Sequence, residues 1–368
     1  MKFLLFLLIA TSMLQAKYFD SKSCAECHDT IYEEHTKSMH HNSTIFRDEV
    51  HKKVADITSK DKYGCALCHM PSTPNLRAVM QDKSKIDESL AQNQDGVSCF
   101  YCHQIDKVHK SKSNNINFVK SNQRPVFYGN LYNPDFSDMH ASAENEIFKN
   151  SEVCMGCHSH KENDFGLEVC NAKNEYDETS NCIACHMSKR DGAVEKNDKK
   201  NRKQYANHEF ASIRSAVMVK EAVALELKQV EDGVELSITN KMGHSIITQP
   251  MRLKFVKTTL KRGDEIIWSN FSESALEDKE ATFVMILEDS EKNPTIPANA
   301  VAYKVNQNLK ANTTKTLTYK LDDLQKGDIV TSTWVSFTIN PNIAKKLNLS
   351  DEELSKPIFG ESKSIVIK

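Results

Sequence analysis

Five stretches of the sequence place two cysteines in a Cys-x-x-Cys spacing with a histidine directly after the second. They are Cys24, Cys27 and His28; Cys65, Cys68 and His69; Cys99, Cys102 and His103; Cys154, Cys157 and His158; and Cys182, Cys185 and His186. Two thiols one short turn apart can add to the two vinyl groups of one porphyrin, and the adjoining imidazole then lies under the iron. Zinc is a competing reading, but a zinc ribbon closes a four-ligand site from two such pairs, and five pairs leave one unmatched. Disulfides would suit an exported chain. Neither alternative needs a histidine after every second cysteine, so the spacing predicts five covalently bound haem c groups, each bringing an iron.

The elements that must position these groups fall into two parts. All eleven cysteines lie between Cys24 and Cys185. That region is sparse in apolar side chains for its size, so bound porphyrins would form its core, carried on short helices and irregular connections. Asp29 to His41 reads as one such helix, with Ile31, His35 and Met39 recurring every four residues. From about Ala216 the pattern changes to alternation. Strands are expected at Ala222–Lys228 and Val234–Thr239 around a Glu231-Asp232-Gly233 turn, and at Leu253–Leu260 and Glu265–Trp268 around Arg262-Gly263-Asp264. Further strands are expected at Thr282–Leu287, Lys315–Leu321, Val330–Ile339 and Ser362–Ile367. The expected fold class is therefore α+β and multidomain. A haem-packed, mainly helical and irregular domain spans 17–210, and an antiparallel β-sandwich of immunoglobulin-like topology spans 215–368.

The N-terminus reads as an export signal over 1–16: Lys2, an apolar run from Phe3 to Leu14, and Ala16 at the cut. The run is too short to cross a bilayer, and no other stretch is apolar enough, so no membrane span is expected after its removal. A periplasmic location follows. The formal charge of −2 becomes −3 without Lys2, and haem propionates would add about ten negative charges. Such a protein is expected to meet redox partner proteins through basic patches, in a salt-sensitive way, and nucleic acid is not an expected partner.

Further features extend beyond the cysteine motifs: Ser38-Met39-His40 after the first motif, Cys102-His103-Gln104-Ile105-Asp106-Lys107-Val108-His109 at the third, His208-Glu209-Phe210 at the junction, and Asn240-Lys241-Met242-Gly243-His244-Ser245 followed by Pro250-Met251-Arg252. With these the chain resembles the multihaem cytochromes c of the cytochrome c-552/4 type, which include c-554-like carriers. Two departures stand out. The third motif lacks the family's Gly-Pro-Gly turn, and the Pro-Thr-Gly element after Gly243-His244 is displaced. The resemblance implies distal iron ligands at His40, His109, His208 and His244, the last two reaching back from the junction and the β part. His140, upstream of Cys154, completes the expected set.

A straight helix from His28 to His40 would be about 18 Å long, so His40 should serve a neighbouring iron. His35, His41, His51 and His160 read as packed or exposed side chains. Met70 and Met187 read as packing on porphyrin or neighbouring side chains, and Cys170 as a buried inert thiol, with a sulfur-reactive or intermolecular thiol as the alternative. With two imidazoles per iron no substrate reaches a metal, and potentials are lower than with methionine ligation. The expected role is single-electron transfer between respiratory donors and a terminal reductase, with no catalytic residue assigned. The alternative is an oxidoreductase in which one five-coordinate haem acts on a small nitrogen or sulfur species.

Overall fold

The computed structural model describes residues 18–58, 63–120, 125–173, 175–176, 181–196 and 198–368; the expected export signal lies outside them. Among the described residues no helix is long and apolar enough to cross a membrane. The chain is a mixed α+β protein with several separate sheets.

In the N-terminal half most elements are short, and several of them carry an attachment motif. Single-turn helices carry Ala66–His69, Cys99–Cys102, Met155–His158 and Cys182–His186. Two are started by side-chain caps, Ser98 accepting from the Tyr101 N–H and Asn181 from that of Ala184, which satisfies otherwise orphaned donors. The helix expected to reach His41 covers Asp29–Lys37 only. Ser38 is extended (φ −75°, ψ 154°) and its hydroxyl bonds the His35 carbonyl at 2.6 Å. That local bond competes with continuation of the helix and releases His40 into a turn.

The C-terminal half is built of antiparallel strands. The Gly233–Asn240 strand lies between Val223–Val230 and Thr314–Lys320. A seven-stranded sheet is centred on Leu253–Arg262 paired with Ile329–Phe337, and Pro357–Val366 and Thr282–Glu288 lie outside that pair. Alternation explains the burial: Val234, Leu236 and Ile238 point inward along one strand, as a two-residue period requires. Leu236 and Ile238 meet Val256, Phe283 and Trp334 of the larger sheet in one apolar cluster, and Val234 packs with Leu260 and Val330 in another. Both hairpins read from the sequence are present, and Gly263 takes φ 59° at the second turn, a conformation that suits glycine. Ala302–Gln307 and Pro294–Thr295 are strands that the sequence reading did not include.

Trp334 is fully buried, and among the described residues its indole N–H has no hydrogen-bond partner. Trp334→Ala is expected to cost about 3–5 kcal/mol in denaturant unfolding. Trp334→Phe should cost much less, because it fills most of the space and removes the orphaned donor.

The two halves share a core. Val50, on the helix Glu49–Thr58, packs with Met251, Ile296, Ile339 and Leu347, and the Glu49 carboxylate accepts the backbone N–H groups of Ser350 and Asp351. Farther along, Val169 packs on Leu287 and Ala300, and the Asn163 amide donates to the carbonyls of Pro297 and Ala300.

Candidate haem-binding site

A continuous cavity of about 3000 Å³ runs through the N-terminal half and against the β part. Ordinary small-molecule pockets are about 300–1,000 Å³. All ten motif cysteines and all five motif histidines line it. So do His35, His40, His51, His140, His208 and His244, whereas His41, His109 and His160 do not; His35 faces no motif histidine, and its Nε2 is taken by the Val97 carbonyl, which leaves five candidates.

The motif histidines face these five partners one to one. Ring centroids are 6.4 Å apart for His28 and His140, 6.3 Å for His103 and His208, 6.1 Å for His40 and His158, and 6.4 Å for His186 and His244. Two imidazoles bound on opposite sides of one metal through bonds of about 2 Å have centroids roughly 6 Å apart. Four pairs have that separation. The fifth, His51 and His69, is closer at 3.9 Å.

Hydrogen bonds fix which nitrogen faces the cavity. The Nδ1 atoms of His28, His103 and His186 contact the carbonyls of Val194, Tyr128 and Ala211 at 2.7, 2.6 and 2.6 Å. Those of His208 and His244 contact the carbonyls of Ala206 and Ser245 at 2.7 and 2.8 Å, and that of His140 contacts Ala141 at 3.3 Å. A carbonyl only accepts, so Nδ1 carries the proton and Nε2 keeps its lone pair for a metal, the usual arrangement of ligating histidines. His51 differs, since its Nδ1 bonds the Asp48 carboxylate at 2.5 Å. Burial, followed by the nearby His158 charge, pushes His40 down to about 3; burial, followed by the His103 charge, does the same to His208. Both are therefore neutral at pH 7, as ligation requires.

His109 is where the structure departs from the expected ligand set. It is exposed at the end of the strand Ile105–His109, and no motif histidine lies against it. Gln104-Ile105-Asp106 stands where the family has its Gly-Pro-Gly turn, and it feeds a strand with a bulge between Ile105 and Lys107, which carries His109 to the surface. The place opposite a motif histidine is taken by His51, whose sequence signal is Asp48 three residues earlier on the same turn. The remaining histidines are engaged elsewhere: His35 Nε2 on the Val97 carbonyl, His160 Nε2 on those of Ser111 and Lys112, and His41 against Arg47 and Asp95, with the buried Nδ1 atoms of His35 and His41 left without a hydrogen-bond partner among the described residues.

Two glycines make the geometry possible. A Cβ on Gly96 (φ 58°) would stand 2.4 Å from the His40 carbonyl oxygen, and one on Gly156 would stand 1.6 Å from Asn117 Oδ1. Gly96→Ala adds strain of about 1–3 kcal/mol and displaces the turn holding His40. The expected result is an altered low-spin spectrum for one haem, checked by electron paramagnetic resonance.

The attachment sites share walls. Side chains interact between Cys24 and Cys99, between Cys68 and Cys157, and between Cys154 and Cys182. Cys102 packs in the same cluster as Cys154, and the Phe210 ring lies 4.2 Å from His40 and 6.0 Å from His208. The first site thus adjoins the third and the third adjoins the fourth, while the second and fifth both meet the fourth. Only Cys27 and Cys185, at the first and fifth sites, are exposed motif cysteines.

These residues fit haem better than the alternatives. Among the described residues no three Cys, His, Asp or Glu side chains converge to hold a bare metal ion, and no cysteine is disulfide-bonded. Cys170, beside Cys65 and Cys68 on the cavity wall, has its thiol pushed up to about 12, first by burial, which makes it unreactive.

The family described as cytochrome c554 and c-prime matches residues 23–104. No curated protein matches the chain. Among solved structures, a penta-heme cytochrome c552 from Thermochromatium tepidum superimposes with a TM-score of 0.77 at 20% identity, over 95% of this chain and 99% of that one. The family match covers the first three attachment motifs, and the structural match shows that the chain has the fold of a penta-heme cytochrome c552; with five attachment motifs on that fold, the chain is similar to multihaem c-type cytochromes of the c-552/554 kind.

Proposed function

We propose that the chain is a periplasmic electron carrier with five haems, passing single electrons from a respiratory donor to a terminal reductase. The observation that carries this reading is the row of facing imidazole pairs along one cavity. Bound haem supplies reversible one-electron iron chemistry. The chain supplies the rest. His28, His103 and His186 face His140, His208 and His244 with a carbonyl on each Nδ1 and Nε2 left for a metal, and His158 faces His40. The apolar walls exclude water, and the shared walls set the order in which neighbours meet. Exposed Cys27 and Cys185 mark the first and fifth sites as the places where partners reach the row. The basic run from Lys189 to Lys203 covers the first site, with the Val194 carbonyl on His28 and the Lys196 N–H on the Cys27 carbonyl. Charges there favour an acidic partner and salt-sensitive association. On this reading 17–210 is the haem domain and 215–368, an immunoglobulin-like sandwich, presents His244.

The test is a pyridine haemochrome count with electron paramagnetic resonance of the oxidised protein. Five haems per chain, all low-spin, are expected. Fewer haems, or a full equivalent of high-spin iron, sinks the carrier reading.

One observation favours a second reading, an oxidoreductase acting on a small nitrogen or sulfur species at the second motif. His51 lies too close to His69 to share an iron in the manner of the other four pairs, and its bond to Asp48 suits a proton-handling group. His51→Ala separates the two. As a ligand, its loss creates one high-spin equivalent; as a proton-handling group, the high-spin equivalent is there before the substitution and its amount is unchanged.

A further inference from the structure

The helix Asp29–Lys37 starts directly after the first motif, and the two residues it buries, Glu34 and His35, are both polar. A helix normally turns apolar side chains toward the interior, so this face calls for partners. Glu34 is 7% exposed. Its Oε1 accepts the Tyr205 O–H at 2.7 Å, and its Oε2 accepts the backbone N–H of His208 at 2.8 Å. Both oxygens act as acceptors, the pattern of a carboxylate rather than a carboxylic acid. The cations Lys37 and Arg190 pair with Glu209 instead, and among the described residues none pairs with Glu34. A buried carboxylate without a counter-charge is costly unless its hydrogen bonds are well made.

The segment that Glu34 holds carries His208. Gln204–Ala206 pairs with Lys189–Asp191, and the Asn207 N–H continues the pairing to the Ser188 carbonyl at 3.1 Å. The ladder ends there, so the first N–H beyond it is that of His208, and Glu34 accepts it. Phe210 then bends the chain away with φ 51°. The same stretch touches two further sites, with the Phe210 ring 4.2 Å from His40 and the Ala211 carbonyl 2.6 Å from His186 Nδ1. His35, the next residue on the helix, does parallel work: its Nε2 meets the Val97 carbonyl at 3.0 Å, and the Val97 N–H donates to the His40 carbonyl at 2.9 Å. Two adjacent residues of one helix thus hold the segments that present His208 and His40.

We propose that Glu34 is a positioning residue for His208: through the His208 N–H and the Tyr205 hydroxyl it fixes the imidazole opposite His103, and it places one buried negative charge behind the third site that sets the potential there. The proposal rests on the reading of His103 and His208 as an axial pair. Oxidised iron carries one more positive charge than reduced iron, so a fixed negative charge nearby favours the oxidised form and holds the midpoint potential down. A hydrogen bond behind an axial ligand also fixes the orientation of its ring.

The experiment compares the holoprotein with Glu34→Gln, Glu34→Asp and Tyr205→Phe by potentiometric titration and by electron paramagnetic resonance of the oxidised form, with His208→Ala marking the signal of the third haem. Glu34→Gln keeps the shape, loses the charge and has one acceptor oxygen for two donors. One midpoint potential is expected to rise, by about tenfold in the reduction equilibrium or about 59 mV for one electron. One low-spin signal should move with it, the same signal that His208→Ala converts to high-spin. Glu34→Asp keeps the charge and should retain part of the lowered potential. Tyr205→Phe removes one bond and leaves the charge, so its expected result is a moved signal with a potential near that of the parent. It carries the test should Glu34→Gln yield no holoprotein, and an unmoved signal then overturns the proposal. Variants that melt lower yet keep the potentials and signals of the parent show a carboxylate with a structural part only; they overturn the proposal and leave electron transfer standing. Low-spin content unchanged in His208→Ala overturns the axial pairing itself, and the proposal with it.

Discussion

Replacing His244 by alanine is expected to convert one haem from low-spin to high-spin and to lower the melting temperature of the holoprotein by several degrees. His244 sits in the turn after the strand Gly233–Asn240, in the C-terminal half, and faces His186 of the last motif at 6.4 Å with an interplanar angle of 12°. The turn is well held: the Asn240 amide bonds the His244 carbonyl, and the His244 Nδ1 bonds that of Ser245. Alanine should therefore remove the ligand without rebuilding the loop. A metal bond between the halves acts as a cross-link, and its loss belongs to the costly class of substitutions. A cost of about 2 kcal/mol shifts a domain of this size by roughly 4–8 °C. The control is His109→Ala, which touches an exposed strand end and should change neither spectrum nor melting. A spectrum unchanged in His244→Ala would show that the imidazole is not a ligand.

The second large effect is expected at the fourth motif. Cys154→Ala with Cys157→Ala should leave four haems per chain by pyridine haemochrome and slow reduction of the haems beyond that point by at least tenfold in stopped-flow reduction, since the fourth site adjoins the second, third and fifth. It should also lower holoprotein yield, because Met155 and Val153 pack around that position and Cys154 belongs to the same apolar cluster as Ile105 and Phe148. His40→Met tests the junction without emptying it. Methionine in place of imidazole raises the potential, by an amount on the order of a tenth of the roughly 0.8 V that axial ligands span. Electrons would then collect at that site. Reduction kinetics of the double variant that match the parent would remove the fourth site from its central place.

Much of this was legible in the sequence, for reasons that differ by region. The attachment motifs are local chemistry, so spacing alone identifies them. The strands after Ala216 follow alternation, and the Glu231-Asp232-Gly233 and Arg262-Gly263-Asp264 turns fall where hairpins form. The facing histidines are another matter, because each partner comes from a distant segment. His40, His140, His208 and His244 could be named as candidates, but which motif each would face depends on the fold. His109 and His51 show the limit. Replacing a glycine-proline turn by Gln104-Ile105-Asp106 looks like a local change, yet it turns the following residues into a bulged strand that ends in solvent. His51 rides on an amphipathic helix with no repeat to mark it, and only its carboxylate partner Asp48 sets it apart.

The facing pairs also cross one another along the chain. His28 faces His140 and His40 faces His158, while His103 faces His208 and His186 faces His244, so most of the loops they would close begin inside one loop and end beyond it. With an iron held between each pair, the polypeptide would be sewn with overlapping stitches, and no segment could be peeled away without pulling on its neighbour. Heat or denaturant should therefore release the chain in few steps, and a nick in an exposed connection should leave the fragments fastened together until the metal bonds are displaced.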